Sequence, residues 1–176
     1  MGSGILEVLL VDACCLKDTD CFGIFSCGIF ACCCGKDTKF IGKMDPYVLI
    51  HFGNEERKSK VARWQGGNPV WNEKFTFEAE YPGEKNDLYK LTFKIMDEDT
   101  LTGGDFVGES VIYVKDVISL GVEEGTIELP TAKYSVVLQD KRYYGDIRVG
   151  VKFIRKVEGV KEKDTAACKE SHSASE

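Results

Sequence analysis

The chain has 176 residues, 43% hydrophobic and 30% charged, which is enough for one domain with a buried core and leaves little for a second. Its formal net charge of −6 argues against nucleic acid as a partner, because phosphate binding needs a basic stripe. The longest apolar run, Cys21–Cys34, is too short to span a bilayer as a helix, and no basic n-region followed by an apolar h-region and cleavage site marks a secretory signal.

In chain order, Gly4–Ala13 is rich in Ile, Leu and Val and predicts a strand buried on both faces. A loop with Lys17, Asp18, Thr19 and Asp20 follows, then the patch C-F-G-I-F-S-C-G-I-F-A-C-C-C-G over residues 21–35, then a second K-D-T at residues 36–38. The repeated K-D-T has the look of a duplication or insertion seam. Asp45-Pro46 leads into an alternating strand through Phe52, and Glu56–Val61 reads as a charged, edge-like strand ending near Arg63. Beyond the Gly66-Gly67-Asn68-Pro69 turn, Val70–Glu80 alternates with Trp71, Phe75 and Phe77 on one face. Strands are further expected over Leu88–Met96, Phe106–Val114, Gly125–Leu129, Tyr134–Leu138 and Ile147–Ile154, with a short helical turn at Lys115–Leu120. The class is therefore all-β, with about eight strands at sandwich-like spacing. One domain is expected over residues 1–155, with 21–39 inserted as a Cys-rich loop and 156–176 as a polar, disordered tail.

The stretch Met96–Gly108, M-D-E-D-T-L-T-G-G-D-F-V-G, organises the chemistry. Residues two apart on an extended chain point the same way, so Asp97 and Asp99 share a face, and the Thr-Gly-Gly turn returns Asp105 toward them. Three carboxylates within about 4 Å repel by roughly 1–4 kcal/mol per pair at near-surface dielectrics. Protonation or a bound cation relieves that repulsion. Hard oxygen donors on a loop, with no nitrogen or sulfur among them, suit Ca²⁺ best and Mg²⁺ less well. The bland alternative is a solvated acidic turn.

An acidic loop after the first strand, then M-D-P-Y-V, then N-P-V-W-N-E at Asn68–Glu73, then D-E-D…D-F-V-G: this combination resembles the C2 domain family. The wording G-N-x-E-R-K-S and K-F-T-F-x-A-E-Y-P-G is similar to the small plant C2 proteins of the elicitor-responsive and 16-kDa phloem type. The resemblance covers residues 4–20 and 36–155. It implies an eight-stranded antiparallel C2 β-sandwich, with the closing Gly145-Asp146-Ile147 strand resembling the permuted type II topology. It also implies one or two Ca²⁺ ions held between loops at one end. The matching ligands are Asp45 in the first loop and Asp97, Asp99 and Asp105 in the distal loop, with Thr102 as an occasional hydroxyl ligand. Leu101 matches an apolar tip that dips into lipid. The first loop departs from the pattern, because the position six before Asp45 is Lys39 rather than an acid. Either Asp20 supplies that ligand with residues 21–39 as an excursion, or Lys39 fills the corner and weakens calcium binding.

Seven of the eight cysteines lie between Cys14 and Cys34. With no secretory signal, a reducing cytosol and free thiols are the default. Gly2 lacks the Ser or Thr of a myristoylation pattern, and Cys168 is too far from the end for a prenylation box. Three readings of the patch stay open. Phe22, Ile24 and Phe25, with Ile29 and Phe30, could enter a membrane interface, with neighbouring cysteines acylated. The thiols could form a soft-metal or redox site, though paired C-x-x-C spacing and a nearby His are missing. Or the insert is a processing product without function.

Lys58, Lys60, Arg63 and Lys74 could line a concave face for phosphoinositide headgroups, or simply protect a sheet edge. Trp71 and Tyr47 read as core or loop-supporting residues. No nucleophile–base pair assembles around His51 or His172, so no enzyme is expected. Taken with the resemblance, the reading is a Ca²⁺-dependent phospholipid-binding module, monomeric and cytoplasmic, peripheral at the plasma membrane when calcium binds, in plant signalling or defence. Its partner is an anionic phospholipid membrane. The alternative is a Ca²⁺-independent protein-interaction or carrier module of the phloem type, with RNA association disfavoured by the acidic balance.

Overall fold

A computed structural model describes residues 2–17, 44–81, 89–98 and 104–156. Eight strands and one helix follow in order: β1 (Gly2–Cys14), β2 (Pro46–Phe52), β3 (Glu55–Lys58), β4 (Val70–Tyr81), β5 (Lys90–Asp97), β6 (Asp105–Tyr113), α1 (Lys115–Glu124), β7 (Thr126–Val137) and β8 (Tyr143–Arg155). All pairings are antiparallel, in the order β3-β2-β5-β6-β7-β8-β1-β4. β6 and β7 are joined at the single pair Glu109↔Val137, and there the sheet folds over. Phe52 on β2 consequently meets Phe77 on β4 across the core, ring centroids 5.8 Å apart, although the two strands are far apart in the sheet order. The result is a nearly closed eight-stranded sandwich, as expected from strand number and spacing.

Alternation decides which face is buried. On β1, Leu6, Val8 and Leu10 are buried while Ile5, Glu7 and Leu9 are half-buried, so the expected two-sided burial of this strand does not hold. The strand is hydrogen-bonded on both edges, to β4 and β8, yet only one of its faces looks into the core. Phe77, Phe93, Phe153, Ile50, Ile95 and Ile147 fill the rest of that core.

Three further expectations are corrected. Gly125–Leu129 and Tyr134–Leu138 are one strand, β7, because Pro130 is accommodated at a register shift between Leu129 and Ala132 instead of ending the strand. The helical turn is a helix of 10 residues whose Val117, Ile118 and Gly121 face inward. Gly121 is what lets it dock, since a Cβ there would sit 2.2 Å from the Phe153 ring. β3 is a short edge strand, shorter than the Glu56–Val61 segment expected.

One end of the sandwich gathers the segments of interest. The register pairs Cys14 with Asp146, Asp12 with Val70, Pro46 with Asp97 and Asp97 with Asp105. The end of β1, the starts of β2, β4, β6 and β8, and the end of β5 therefore share one pole.

Candidate functional site

Asp97 is the last residue of β5, and its side chain belongs to a residue only 3% exposed. Its Oδ1 accepts the Asp45 backbone N–H at 2.7 Å, and the Glu98 N–H returns a bond to the Asp45 carbonyl at 3.1 Å. These reciprocal bonds clamp the Met44–Pro46 entry to the end of β5. Asp105 opens β6 directly across from Asp97 and is exposed. Three carboxylates from three separate segments are thus brought to one pole, the first two 52 positions apart in the chain. Gly104 makes the approach possible: it adopts φ +98°, and a Cβ would lie 3.0 Å from both the Asp97 carbonyl and the Tyr47 hydroxyl.

Asp45 carries two further contacts. Its Oδ1 accepts the Trp64 N–H at 2.5 Å, and its Oδ2 lies 3.6 Å from Arg63 Nη1. Arg63 Nη2 donates to Glu98 Oε2 at 2.9 Å, while Lys58 Nζ stands 3.7 Å from Glu98 Oε1 and 3.9 Å above the Tyr47 ring. The carboxylates of Asp45, Asp97, Glu98 and Asp105 outnumber these two cations, so the pole stays acidic.

The loop between β3 and β4 is pinned on both sides of its tip. Gly66 donates to the Met44 carbonyl at 3.0 Å, Ala62 to the Pro46 carbonyl at 2.9 Å, and Leu16 to the Gly67 carbonyl at 2.9 Å. Asn68 Oδ1 accepts the Cys15 N–H at 3.1 Å, and Trp71 Nε1 donates to the Pro46 carbonyl at 3.3 Å. Trp71 and Tyr47 are buried supports of the pole, as their sequence context suggests.

Asp20, Asp99, Leu101, Thr102, Phe22, Ile24, Phe25 and Lys39 lie outside the described residues, as do the three readings of the Cys-rich patch. Among the described residues no three His, Cys, Asp or Glu side chains are grouped so as to hold a metal ion by themselves. The donors that are present are carboxylate oxygens, the right chemistry for a hard dication but an incomplete set. The basic group divides. Lys58 and Arg63 converge on Glu98, whereas Lys74 pairs with Glu7 at 3.4 Å on the β1–β4 face, and the Lys60 backbone N–H bonds Glu73 Oε1 at 2.8 Å.

Glu98, Arg63 as the ion-pair partner of Asp45, and Trp64 were not among the ligands and contacts expected from sequence. Glu98 sits in D-E-D next to Asp97, and its carboxylate pairs with Arg63 and Lys58. Trp64 did leave a trace, as a large apolar residue inside a charged and Gly-rich turn.

The C2 domain family model matches residues 4–129, and the chain belongs to the C2 domain family. Within it, the chain is similar to small plant proteins. Elicitor-responsive protein 1 of Oryza sativa subsp. japonica is 45% identical over 152 residues, 86% of this chain and 85% of the relative. The 16 kDa phloem protein 1 of Arabidopsis thaliana is 41% identical over 154 residues, 87% of this chain and 86% of the relative. A solved C2 domain-containing protein matches with a TM-score of 0.57 and 32% identity, covering 92% of this chain and 94% of that one. The calcium-bound tandem C2 domains of extended synaptotagmin 2 share the fold, with a TM-score of 0.57 at 22% identity over 87% of this chain and 46% of that one.

Proposed function

We propose that this chain is a calcium-dependent module that docks on anionic phospholipid membranes. The observation that carries the reading is the clamp of Asp45 onto Asp97, with Asp105 across from it, at the pole where three loops end. Asp45, Asp97 and Asp105 would hold one or two ions, with Asp99, Thr102 and Asp20 as the further ligands that the family resemblance implies. When bound, calcium supplies a hard dication able to bridge side-chain carboxylates to lipid phosphates. Left unneutralised, the same carboxylates repel an anionic surface. The bond from the Asp45 N–H to Asp97 and the bond from the Trp64 N–H to Asp45 hold both carboxylates before any ligand arrives, which lowers the ordering cost of binding.

Vesicle sedimentation with phosphatidylserine, with calcium and with chelator, tests the reading. Wild type is expected to pellet only with calcium, and Asp97→Asn combined with Asp99→Asn to stay soluble. If the double variant pellets like wild type, the calcium switch is wrong. The names of the plant relatives denote no enzyme, and no catalytic role is proposed.

A second reading, a calcium-independent interaction module, draws on Arg63 and Lys58, which already neutralise part of the pole. It predicts the same thermal midpoint in millimolar calcium as in chelator.

A further inference from the structure

Of the seven large apolar side chains most exposed among the described residues, Trp64 at 70%, Tyr143 at 75%, Val70 at 48% and Tyr144 at 39% belong to the acidic pole, while Tyr113, Leu120 and Leu129 lie elsewhere. Trp64 tips the β3–β4 loop, Val70 opens β4, and Tyr143 and Tyr144 open β8, next to the end of β1.

Backbone geometry singles out the same pole. Among the described residues, the non-glycine positions with left-handed φ are Cys15 (57°), Trp64 (64°), Asn72 (49°) and Lys141 (67°), and all four lie there. A left-handed conformation disfavours a bulky side chain, and it persists only where surrounding contacts impose it. For Trp64 the imposing contact is visible: its N–H is held at 2.5 Å by Asp45 Oδ1, while Gly66 and Ala62 on either side are tied to Met44 and Pro46. The chain thus holds an indole out into solvent through a bond to a carboxylate of the candidate calcium site. Lys141 and Arg142 in the β7–β8 turn, and Arg63 beside Trp64, place cations among these aromatics.

We propose that Trp64, with Tyr143 on the far side of the pole, is an anchor for the lipid–water interface, and that Asp45 is the positioning residue that sets the Trp64 pose. Indole and phenol combine an apolar body with one polar hydrogen-bonding group, which suits the headgroup layer. Neighbouring Lys and Arg suit an anionic one. The inference rests on the membrane reading above and adds a second foot to the loop tips expected from sequence.

The chain has two tryptophans, Trp64 and the buried Trp71, so the emission of Trp64 is the difference between wild type and Trp64→Phe. With calcium and phosphatidylcholine–phosphatidylserine vesicles, that difference spectrum should shift to the blue and be quenched by brominated acyl chains. Trp64→Ala should lower the vesicle partition coefficient about tenfold, for partial burial of one large side chain. Adding Tyr143→Ala should lower it again. In solution, Asp45→Asn keeps an oxygen for the Trp64 N–H and should preserve the Trp64 anisotropy, while Asp45→Ala should reduce it. Vesicles that pellet the protein while Trp64 emission stays at its solution wavelength overturn the anchor and leave the membrane reading standing. No pelleting under any condition overturns both. Equal anisotropy in the two Asp45 variants overturns the positioning role.

Discussion

Arg63 stands between Asp45 and Glu98, and the balance of its contacts sets how strongly the pole attracts cations. Its side chain is 63% exposed, so solvent screens the pair and its worth is on the order of 0.2–1 kcal/mol. Arg63→Ala should therefore tighten calcium binding by a factor of roughly two to five, read by titration calorimetry without lipid. Weaker binding in that variant would mean that Arg63 organises the site and does not compete for it. Cys14 at the foot of the same pole behaves differently. Burial first, then the neighbouring Cys15 and Asp146, push its thiol above the ordinary value, against the opposing pull of Lys133. A raised folded value means its contribution to stability is whole below the unfolded thiol pKa and is lost as pH rises through the folded one. Cys14 should therefore alkylate more slowly in the native chain than in the urea-unfolded chain at mildly alkaline pH, followed by tandem mass spectrometry. Equal rates would contradict its sheltered setting.

At the scale of elements, two close approaches decide local stability. Helix α1 packs through Gly121 onto Phe153, a fully buried ring of β8. Phe153→Ala should cost about 3–5 kcal/mol from the emptied volume. Gly121→Leu should destabilise as well, because its Cβ alone would overlap that ring. Both are read as a lowered urea midpoint. The β5–β6 connection ends on Gly104 at φ +98°. Gly104→Ala should cost more than about 1 kcal/mol, since the new methyl meets Tyr47 and Asp97 in a conformation that L side chains avoid. The same variant should weaken calcium binding by displacing Asp97 and Asp105 from register.

For the whole molecule, the proposed calcium binding would be linked to folding. If the ion binds only the native pole, free calcium at a hundredfold excess over its Kd should stabilise the fold by about 2.7 kcal/mol. For a chain of this length that is roughly 5–10 °C in Tm. Calorimetry in calcium against chelator measures it, and an unchanged Tm favours the calcium-independent reading. The formal net charge of −6 includes five aspartates of the expected ligand set, so filling that set removes most of the excess.

Period-two alternation made β2 and β4 legible, because side chains on a strand must sort between two faces. Local pattern divides β7 into two segments where Pro130 sits at a register shift, and it buries both faces of β1, whose apolar outer positions are only half-buried. Composition and motif spacing by themselves determined the all-β class and the acidic loop with Asp97, Asp99 and Asp105, and the resemblance to the C2 family added Asp45. Only the tertiary structure decided that the Asp45 backbone rests on Asp97, that Arg63 pairs with Asp45, and that the Trp64 N–H bonds the same carboxylate. Those contacts join residues 18 to 52 positions apart, and a local pattern carries no information about which distant loops the closing of a sandwich brings together.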